Sequence, residues 1–147
     1  MKKVLGRIDK IDFPELHLTE VDVKIDTGAY TSAIHCSKIK EVNGLLYCTF
    51  ESKGHPNFNG KEVVFSNYTL TDVKSSNGQN ENRYKIKTTA IFFGKSYKIN
   101  LTLSTRDDMK FPVLIGRQFL RQKFMVDVDL ENQSFKNPIN EHSYSFS

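Results

Sequence analysis

Residues 21–29 read Val-Asp-Val-Lys-Ile-Asp-Thr-Gly-Ala, and this stretch decides the fold prediction. Apolar and polar residues alternate up to Ile25, which is the period of a β-strand with one face on a core. The strand delivers Asp26 directly to a Thr-Gly turn. Gly28 lets the backbone turn sharply beside the carboxylate, and Ala29 keeps the wall of the site small. Alone, the stretch describes nothing more than a strand that ends in a tight turn.

A second informative segment covers residues 111–120, Phe-Pro-Val-Leu-Ile-Gly-Arg-Gln-Phe-Leu. An unbroken apolar run followed by a glycine and an amphipathic turn predicts a strand buried on both faces. We expect this strand to enter a short helix over about residues 117–122. By itself the segment indicates ordinary core.

Strand periodicity also dominates the rest of the chain, whereas helical periodicity is scarce. Asn-Gly pairs accept the positive φ angles of a tight hairpin turn, and an isolated glycine between strands serves the same purpose. Four positions therefore predict turns: Asn43-Gly44, Asn59-Gly60, Asn77-Gly78 and Gly94. The fold class that follows is all-β, as a small closed barrel or sandwich of short strands.

Length and composition indicate one domain. The chain has 147 residues with 12% aromatic content, which excludes a disordered or fibrous chain. We expect a single domain over residues 1–137 and a loosely ordered tail over residues 138–147. The net charge of +4 comes from basic residues spread along the chain, so it favours neither nucleic acid nor a membrane surface as partner.

The two cysteines, Cys36 and Cys48, are too few for a disulfide scaffold and lack metal-type spacing. The N-terminal residues have no uninterrupted apolar run of the kind found in signal peptides, and no stretch approaches 18 apolar residues. These features predict a cytoplasmic protein with reduced thiols.

Together, the Asp-Thr-Gly-Ala stretch and the later Leu-Ile-Gly-Arg segment resemble the retropepsins, the single-lobe aspartic proteases. The chain is most similar to a bacterial and archaeal retropepsin-like family often named ATP-dependent zinc proteases. The matching stretches are residues 4–7, 23–29, 31–33, Arg83, 112–117 and 124–128. The resemblance implies a closed acid-protease barrel with one short helix after the Ile-Gly-Arg segment. In that barrel the later segment is threaded beside the Asp-bearing loop.

The resemblance also implies site residues. Asp26 would be the catalytic residue, supported by Thr27, Gly28, Ala29, Ile115, Gly116 and Arg117. Thr27 would hydrogen-bond across a dimer. The polar hairpin at about residues 72–83, with Ser76, Asn77 and Gly78 at its tip, is our candidate for a flap over the substrate.

Peptide hydrolysis by this chemistry needs two carboxylates that share one proton. The chain contains a single Asp-Thr-Gly, and its other aspartates lack the Thr-Gly that builds the site. We therefore expect a two-fold homodimer that pairs Asp26 with the Asp26 of a second subunit. Retropepsins commonly carry an acidic residue where this chain has Tyr30, so we expect Arg117 to pair instead with Asp127 or Asp129.

No metal and no cofactor are expected. Zinc proteases need ligands placed together, but the histidines at positions 17, 35, 55 and 142 are not paired at ligand spacing. The chain also lacks a Gly-rich loop ending in Gly-Lys-Ser/Thr for ATP phosphates. His35 and Cys36 are adjacent on a strand and point to opposite faces, so both are interpreted as structural.

Three functions remain open from the sequence. The first is an aspartic endopeptidase that acts as a homodimer on a peptide or protein. The second is a non-catalytic retropepsin-like module that binds peptide or regulates a peptide-ligase system. The third is a β-rich nucleic-acid binder, suggested by Arg83, Lys85, Lys87, Lys95 and Lys98, although lysines on adjacent strands more simply form a solvated sheet face.

Overall fold

The computed structural model describes residues 2–74, 78–106 and 108–138. Short strands dominate the described residues, with one 3-10 helix (Pro14–Leu16) and two short α-helices. The strands are β1 (Lys3–Leu5), β2 (Ile8–Phe13), β3 (Leu18–Ile25), β4 (Ser32–His35), β5 (Lys38–Val42), β6 (Leu45–Thr49), β7 (Glu62–Phe65), β8 (Thr69–Lys74), β9 (Asn80–Phe92), β10 (Lys95–Ser104), β11 (Val113–Ile115) and β12 (Phe124–Val126). The α-helices are α1 (Arg117–Leu120) and α2 (Gln133–Lys136).

The main sheet closes into a barrel. Its strand order is β10-β4-β11-β3-β2-β9-β8, and a further pairing of β10 with β9 closes six of these strands on themselves, with β8 as one more strand. A three-stranded sheet (β5-β6-β7) and a parallel pair (β1 with β12) complete the fold. The all-β prediction is confirmed, and of the two predicted forms, barrel or sandwich, the structure has the closed barrel.

Strand β11 lies between two strands that are consecutive in the chain. It pairs in parallel with β3, with Val113 opposite Val23, and antiparallel with β4, with Val113 opposite Ile34. The loop that joins β3 to β4 carries Asp26, so β11 is threaded beside this loop as expected. Both Val113 and Ile115 are fully buried, because each face of this strand meets other parts of the protein.

Two of the predicted hairpin turns are confirmed. Asn43 and Gly44 have φ angles of 51° and 77° and join β5 to β6. Phe93 and Gly94 have φ angles of 55° and 76° and join β9 to β10. Both pairs have positive φ at the two central positions, as a type I′ turn requires.

The prediction of a hairpin turn at Asn59-Gly60 is wrong. This pair lies near the end of the longer connection between β6 and β7, which contains the loop over residues 51–60, and of the two residues only Gly60 has a positive φ, of 72°. The Gly60 N–H donates to the Phe50 carbonyl at 3.0 Å, which closes the loop at its base. Asn77, in the remaining Asn-Gly pair, lies outside the described residues.

The prediction of a single short helix is also incomplete. Helix α1 follows Gly116 as expected but ends at Leu120, before Gln122 with its left-handed φ of 65°. Helix α2 was not predicted, because its cap comes from the far end of the chain. The buried Asp9 carboxylate accepts hydrogen bonds from the backbone N–H groups of Ser134 at 2.9 Å and Phe135 at 3.1 Å.

An aromatic cluster fixes α1 against the barrel. The Phe119 ring of α1 lies 5.3 Å from Phe92 and 5.9 Å from Tyr97, measured between ring centroids. Phe124 on β12 lies 5.3 Å from Phe92. These contacts hold the residues that follow Gly116 in a fixed position.

Cys36 and Cys48 meet in the core as free thiols, and both are fully buried. Their mutual hydrogen bond, together with burial, raises the pKa of Cys36 well above its ordinary value. The predicted tail lies outside the described residues apart from Pro138. Of the helices that are described, none has the length and apolar character that a bilayer crossing requires.

Candidate active site

The Asp26 carboxylate is held by the turn that follows β3. The Asp26 backbone N–H donates to the Ile115 carbonyl at 2.8 Å, which ties this residue to β11. The Gly28 N–H donates to Asp26 Oδ1 at 3.1 Å, and the Ala29 N–H donates to the Asp26 carbonyl at 3.2 Å. The Asp26 side chain is therefore half-buried and oriented by the backbone.

Gly116 makes the closest approach between β11 and the Asp-bearing loop. A Cβ at this position would lie 2.5 Å from the Thr31 carbonyl oxygen, so only glycine fits. The Gly116 N–H donates to Ser32 Oγ at 2.9 Å, and the next residue, Arg117, donates its backbone N–H to the Ala29 carbonyl at 2.8 Å. Six of the residues that the sequence predicted for the site thus come together: Asp26, Gly28, Ala29, Ile115, Gly116 and Arg117.

The prediction that Arg117 pairs with Asp127 or Asp129 is wrong. Arg117 Nη1 instead donates to the Thr27 carbonyl at 3.3 Å, and its guanidinium lies 5.5 Å from the centre of the Tyr30 ring. Asp127 Oδ1 accepts a hydrogen bond from the Asp129 N–H. The expectation assumed a carboxylate partner, but the face of an aromatic ring also attracts a cation.

The outer rim of the loop faces away from the barrel. Thr27 and Gly28 are exposed, and Tyr30 is 47% exposed. The loop therefore presents its Thr-Gly turn at the surface, whereas the backbone beneath it is tied to β11.

Asp26 opens into a cleft of about 330 Å³. The far wall of the cleft is a loop between β10 and β11 that sequence reasoning missed, because this polar loop carries no motif. The other described residues that line the cleft are Lys24, Arg106, Asp108, Met109, Lys110, Phe111 and Leu114.

One ion pair and several further charged side chains line this cleft. Arg106 forms a two-pronged ion pair with Asp108, at 3.1 and 2.9 Å. The hydrogen bond from Arg106 holds the pKa of Asp108 below its ordinary value. Lys24 and Lys110 add two further positive charges, so three basic side chains and two carboxylates, those of Asp26 and Asp108, lie among the described residues of the lining.

The candidate flap is described only in part. Strands β8 and β9 form an antiparallel hairpin, with Lys74 opposite Asn80. Gly78 has a φ of 85°, as a hairpin tip allows, whereas Ser76 and Asn77 lie outside the described residues. The hairpin exists, and its function as a flap stays a prediction.

Among the described residues, no three side chains of His, Cys, Asp or Glu lie close enough together to hold a metal ion. His35 Nδ1 lies 2.9 Å from the Glu51 carbonyl, and His55 contacts Asp22 and Lys110. These histidines contact the loops that surround the barrel.

A closed barrel with a buried strand threaded between the two strands that flank an Asp-Thr-Gly loop defines the retropepsin-like class of acid proteases. Comparison with known protein families supports this assignment. Residues 4–136 match the RimB-like family, described as retropepsin-like aspartic endopeptidase RimB, and the chain belongs to this family. The resemblance inferred from the sequence is therefore confirmed.

Curated relatives carry a different name. The chain is 31% identical over 132 residues to a probable alpha-L-glutamate ligase of Shewanella pealeana, and 33% identical over 136 residues to one of Desulfotalea psychrophila. These matches cover 86% and 88% of this chain but only 28% and 29% of the relatives. The chain therefore spans less than a third of the length of these relatives.

A solved structure shares the fold. The crystal structure of a Legionella pneumophila protein of unknown function matches 91% of this chain and 99% of its own, with a TM-score of 0.70. The two sequences are 20% identical, so the likeness concerns the fold alone.

Proposed function

We propose that the chain is an aspartic endopeptidase that works as a two-fold homodimer, with one Asp26 from each subunit. One carboxylate is ionised and takes a proton from water, while the other is protonated and donates to the carbonyl of the scissile peptide. The observation that carries this proposal is the half-buried Asp26 carboxylate, which a backbone N–H orients at the floor of a cleft.

Among the described residues that line the cleft, a single subunit offers no suitable second acid. Asp108 is the other carboxylate among the described residues that line the cleft, and Arg106 holds its pKa below the ordinary value. An acid kept ionised in this way is a poor proton donor to a peptide carbonyl. A second copy of Asp26, brought in by a two-fold axis, supplies the proton-donating carboxyl group that Asp108 does not.

The dimer would also set the protonation of the pair. Two carboxylates about 3 Å apart cannot both be ionised, so their pKa values separate and the pair holds one proton over a range of pH. The two apparent pKa values then belong to the pair and not to either subunit.

We further propose a substrate with carboxylate side chains. Lys24 and Lys110 line the Asp26 cleft, and they would attract an acidic peptide. The curated relatives are named probable alpha-L-glutamate ligases, and glutamate carries a carboxylate side chain. A peptide that contains glutamate near the scissile bond is therefore the substrate that both observations support.

The test compares Asp26→Asn with the matched control Asp127→Asn. Peptides that carry glutamate, and the same peptides with glutamine, are incubated with each protein, and products are identified by mass spectrometry. We expect cleavage of the glutamate peptides by the unsubstituted protein and by the control, and none by Asp26→Asn. Cleavage by Asp26→Asn would refute the proposed chemistry.

The second candidate is a non-catalytic module that binds peptide in a ligase system. It is favoured by one observation, that this chain matches less than a third of proteins named as ligases. Peptide binding without turnover by the unsubstituted protein, at any pH between about 3 and 8, would support this candidate. In either case the two free thiols favour a reducing compartment, and we propose the cytoplasm.

A further inference from the structure

The loop over residues 51–60 is fastened to the start of β3. Asn57 Nδ2 donates to the Glu20 carbonyl at 2.7 Å, and Asn59 Nδ2 donates to the His17 carbonyl at 2.7 Å. Side-chain amides that hold backbone carbonyls in this way fix the position of a loop on the surface of the barrel. The loop therefore has a defined place from which its other side chains act.

His55 in this loop connects the two walls of the Asp26 cleft. Its Nδ1 lies 3.3 Å from Asp22 Oδ2, on the strand that ends just before Asp26. Its Nε2 lies 3.2 Å from the Lys110 carbonyl, in the loop that forms the far wall. The imidazole is 19% exposed, so these contacts are partly shielded from water.

Both groups that face the ring accept hydrogen bonds. An ionised carboxylate and a backbone carbonyl have no proton to donate, and a neutral imidazole donates from one nitrogen only. The imidazolium form donates from both nitrogens, so it alone satisfies Asp22 and Lys110 together. Deprotonation would leave a lone pair facing one of the two oxygens, and the link between the walls would be broken on that side.

Several charged groups lie around His55. Asp22 also accepts from Lys10 Nζ at 2.7 Å. Burial disfavours the ionised carboxylate of Asp22, but the hydrogen bonds and positive charges of Lys10 and His55 outweigh it, and the pKa of Asp22 lies below its ordinary value. Glu51 and Lys53 line the same surface depression as His55 and carry opposite charges.

We propose that His55 is a positioning residue that, in its protonated form, holds the Lys110 wall of the cleft against the strand that carries Asp26. This inference rests on the proposed peptidase function, since it assigns His55 a role in binding the substrate of that site. His55 does not touch the reacting atoms. It acts through Lys110, whose side chain is one of the two lysines expected to attract an acidic peptide.

The expected effect falls on substrate affinity. Loss of one hydrogen bond from His55 would raise KM for a glutamate peptide about three- to tenfold, with a smaller change in kcat. Because only the imidazolium form of His55 donates to both oxygens, KM of the unsubstituted protein should be higher at pH 8 than at pH 6. This difference should be absent when His55 is replaced.

The experiment uses the full chain with His55→Asn and the matched control His17→Asn. His17 is exposed at the other end of β3 and has a left-handed φ of 59°, which asparagine tolerates. Fluorescence anisotropy gives Kd for a labelled glutamate peptide at pH 6 and pH 8, with each substitution placed in an Asp26→Asn background to prevent cleavage. Cleavage assays with Asp26 intact give KM and kcat.

Weaker binding by His55→Asn at pH 6, with little difference at pH 8 and none for His17→Asn, would support the inference. Equal Kd for His55→Asn and its parent at pH 6 would overturn it. Binding without cleavage by the unsubstituted protein would refute the peptidase proposal, and the Kd comparison would still decide the role of His55.

A second measurement needs no substitution. Amide hydrogen exchange of residues 108–111, corrected for the intrinsic effect of pH on exchange, should be faster at pH 8 than at pH 6, because the bond from His55 to the Lys110 carbonyl weakens. Exchange that is unaffected by pH after this correction would contradict the inference even if His55→Asn fails to fold.

Discussion

Replacement of Gly116 by alanine would place a methyl carbon 2.5 Å from the Thr31 carbonyl oxygen and 2.7 Å from the Tyr30 carbonyl oxygen. Ordinary contact begins at 3.4 Å, so β11 would have to move by roughly 1 Å. Both obstacles are backbone atoms, which cannot swing aside as the end of a long side chain can. The Asp-bearing loop and β11 would therefore separate.

The cost follows from the hydrogen bonds at this contact. Three of them join β11 and the start of α1 to the loop and to β4, through the N–H groups of Asp26, Gly116 and Arg117, at 2.8–2.9 Å. Each contributes about 1 kcal/mol, and loss of two or three with some residual strain gives about 2–4 kcal/mol of destabilisation. The same movement would displace Asp26 and remove peptidase activity.

Urea unfolding monitored by circular dichroism checks this estimate, and the midpoint should fall by about 1–2 M. Gly28→Ala is the control for stability, because its Cβ would meet only Asp26 Oδ1, at 3.3 Å. Its cost should be about 0.5 kcal/mol. Equal midpoints for Gly116→Ala and the unsubstituted protein would refute the close approach described for this strand.

Two further predictions concern titrating groups. Burial raises the pKa of Asp9, although the Ser134 and Phe135 N–H groups donate to it, so the folded protein binds this proton more tightly than the unfolded chain. Stability relative to Asp9→Asn should therefore fall as pH rises above 3.8, the ordinary pKa of this group, and urea midpoints that stay parallel as pH rises from there would contradict the prediction. The hydrogen bond to Glu41 raises the pKa of Tyr68 to about 12. Glu41→Gln should return this pKa toward 10.0 in an ultraviolet titration of phenolate, and an unaltered curve would show that Glu41 does not perturb this tyrosine.

The parts of the fold that the sequence predicted well depend on local signals. Alternating residues and the Asp-Thr-Gly turn placed β3 and the loop that holds Asp26. The apolar run before Gly116 placed β11 and α1, because a continuous hydrophobic stretch needs burial on both faces. Hairpin turns at Asn43-Gly44 and Gly94 follow from the positive φ that these residues accept.

The parts that were missed depend on contacts between distant residues. Helix α2 has four residues and no capping side chain of its own, and the carboxylate that holds it is Asp9, 125 positions away. No local pattern predicts such a cap. The contact between Arg117 and the Tyr30 ring was also not predictable from a local pattern, since an aromatic face and a carboxylate both attract a guanidinium.

The residues that form the cleft were also not predictable from local sequence patterns. Its far wall comes from Arg106 and residues 108–111, which have no motif, and its connection to β3 passes through His55 in another loop. A single histidine in a polar loop carries no sequence signal for this function. The role proposed for His55 can be inferred only when the positions of both oxygens that face its ring are known.

The measurement that tests the central claim most directly is a subunit-mixing experiment. Unsubstituted chains and Asp26→Asn chains are unfolded together, refolded at equal amounts, and assayed for cleavage of a glutamate peptide at fixed total protein. If each site needs Asp26 from both subunits, activity should be about a quarter of that of the unsubstituted dimer, because a quarter of the dimers pair two intact chains. Activity of about one half, as independent single-chain sites would produce, would contradict the shared dyad.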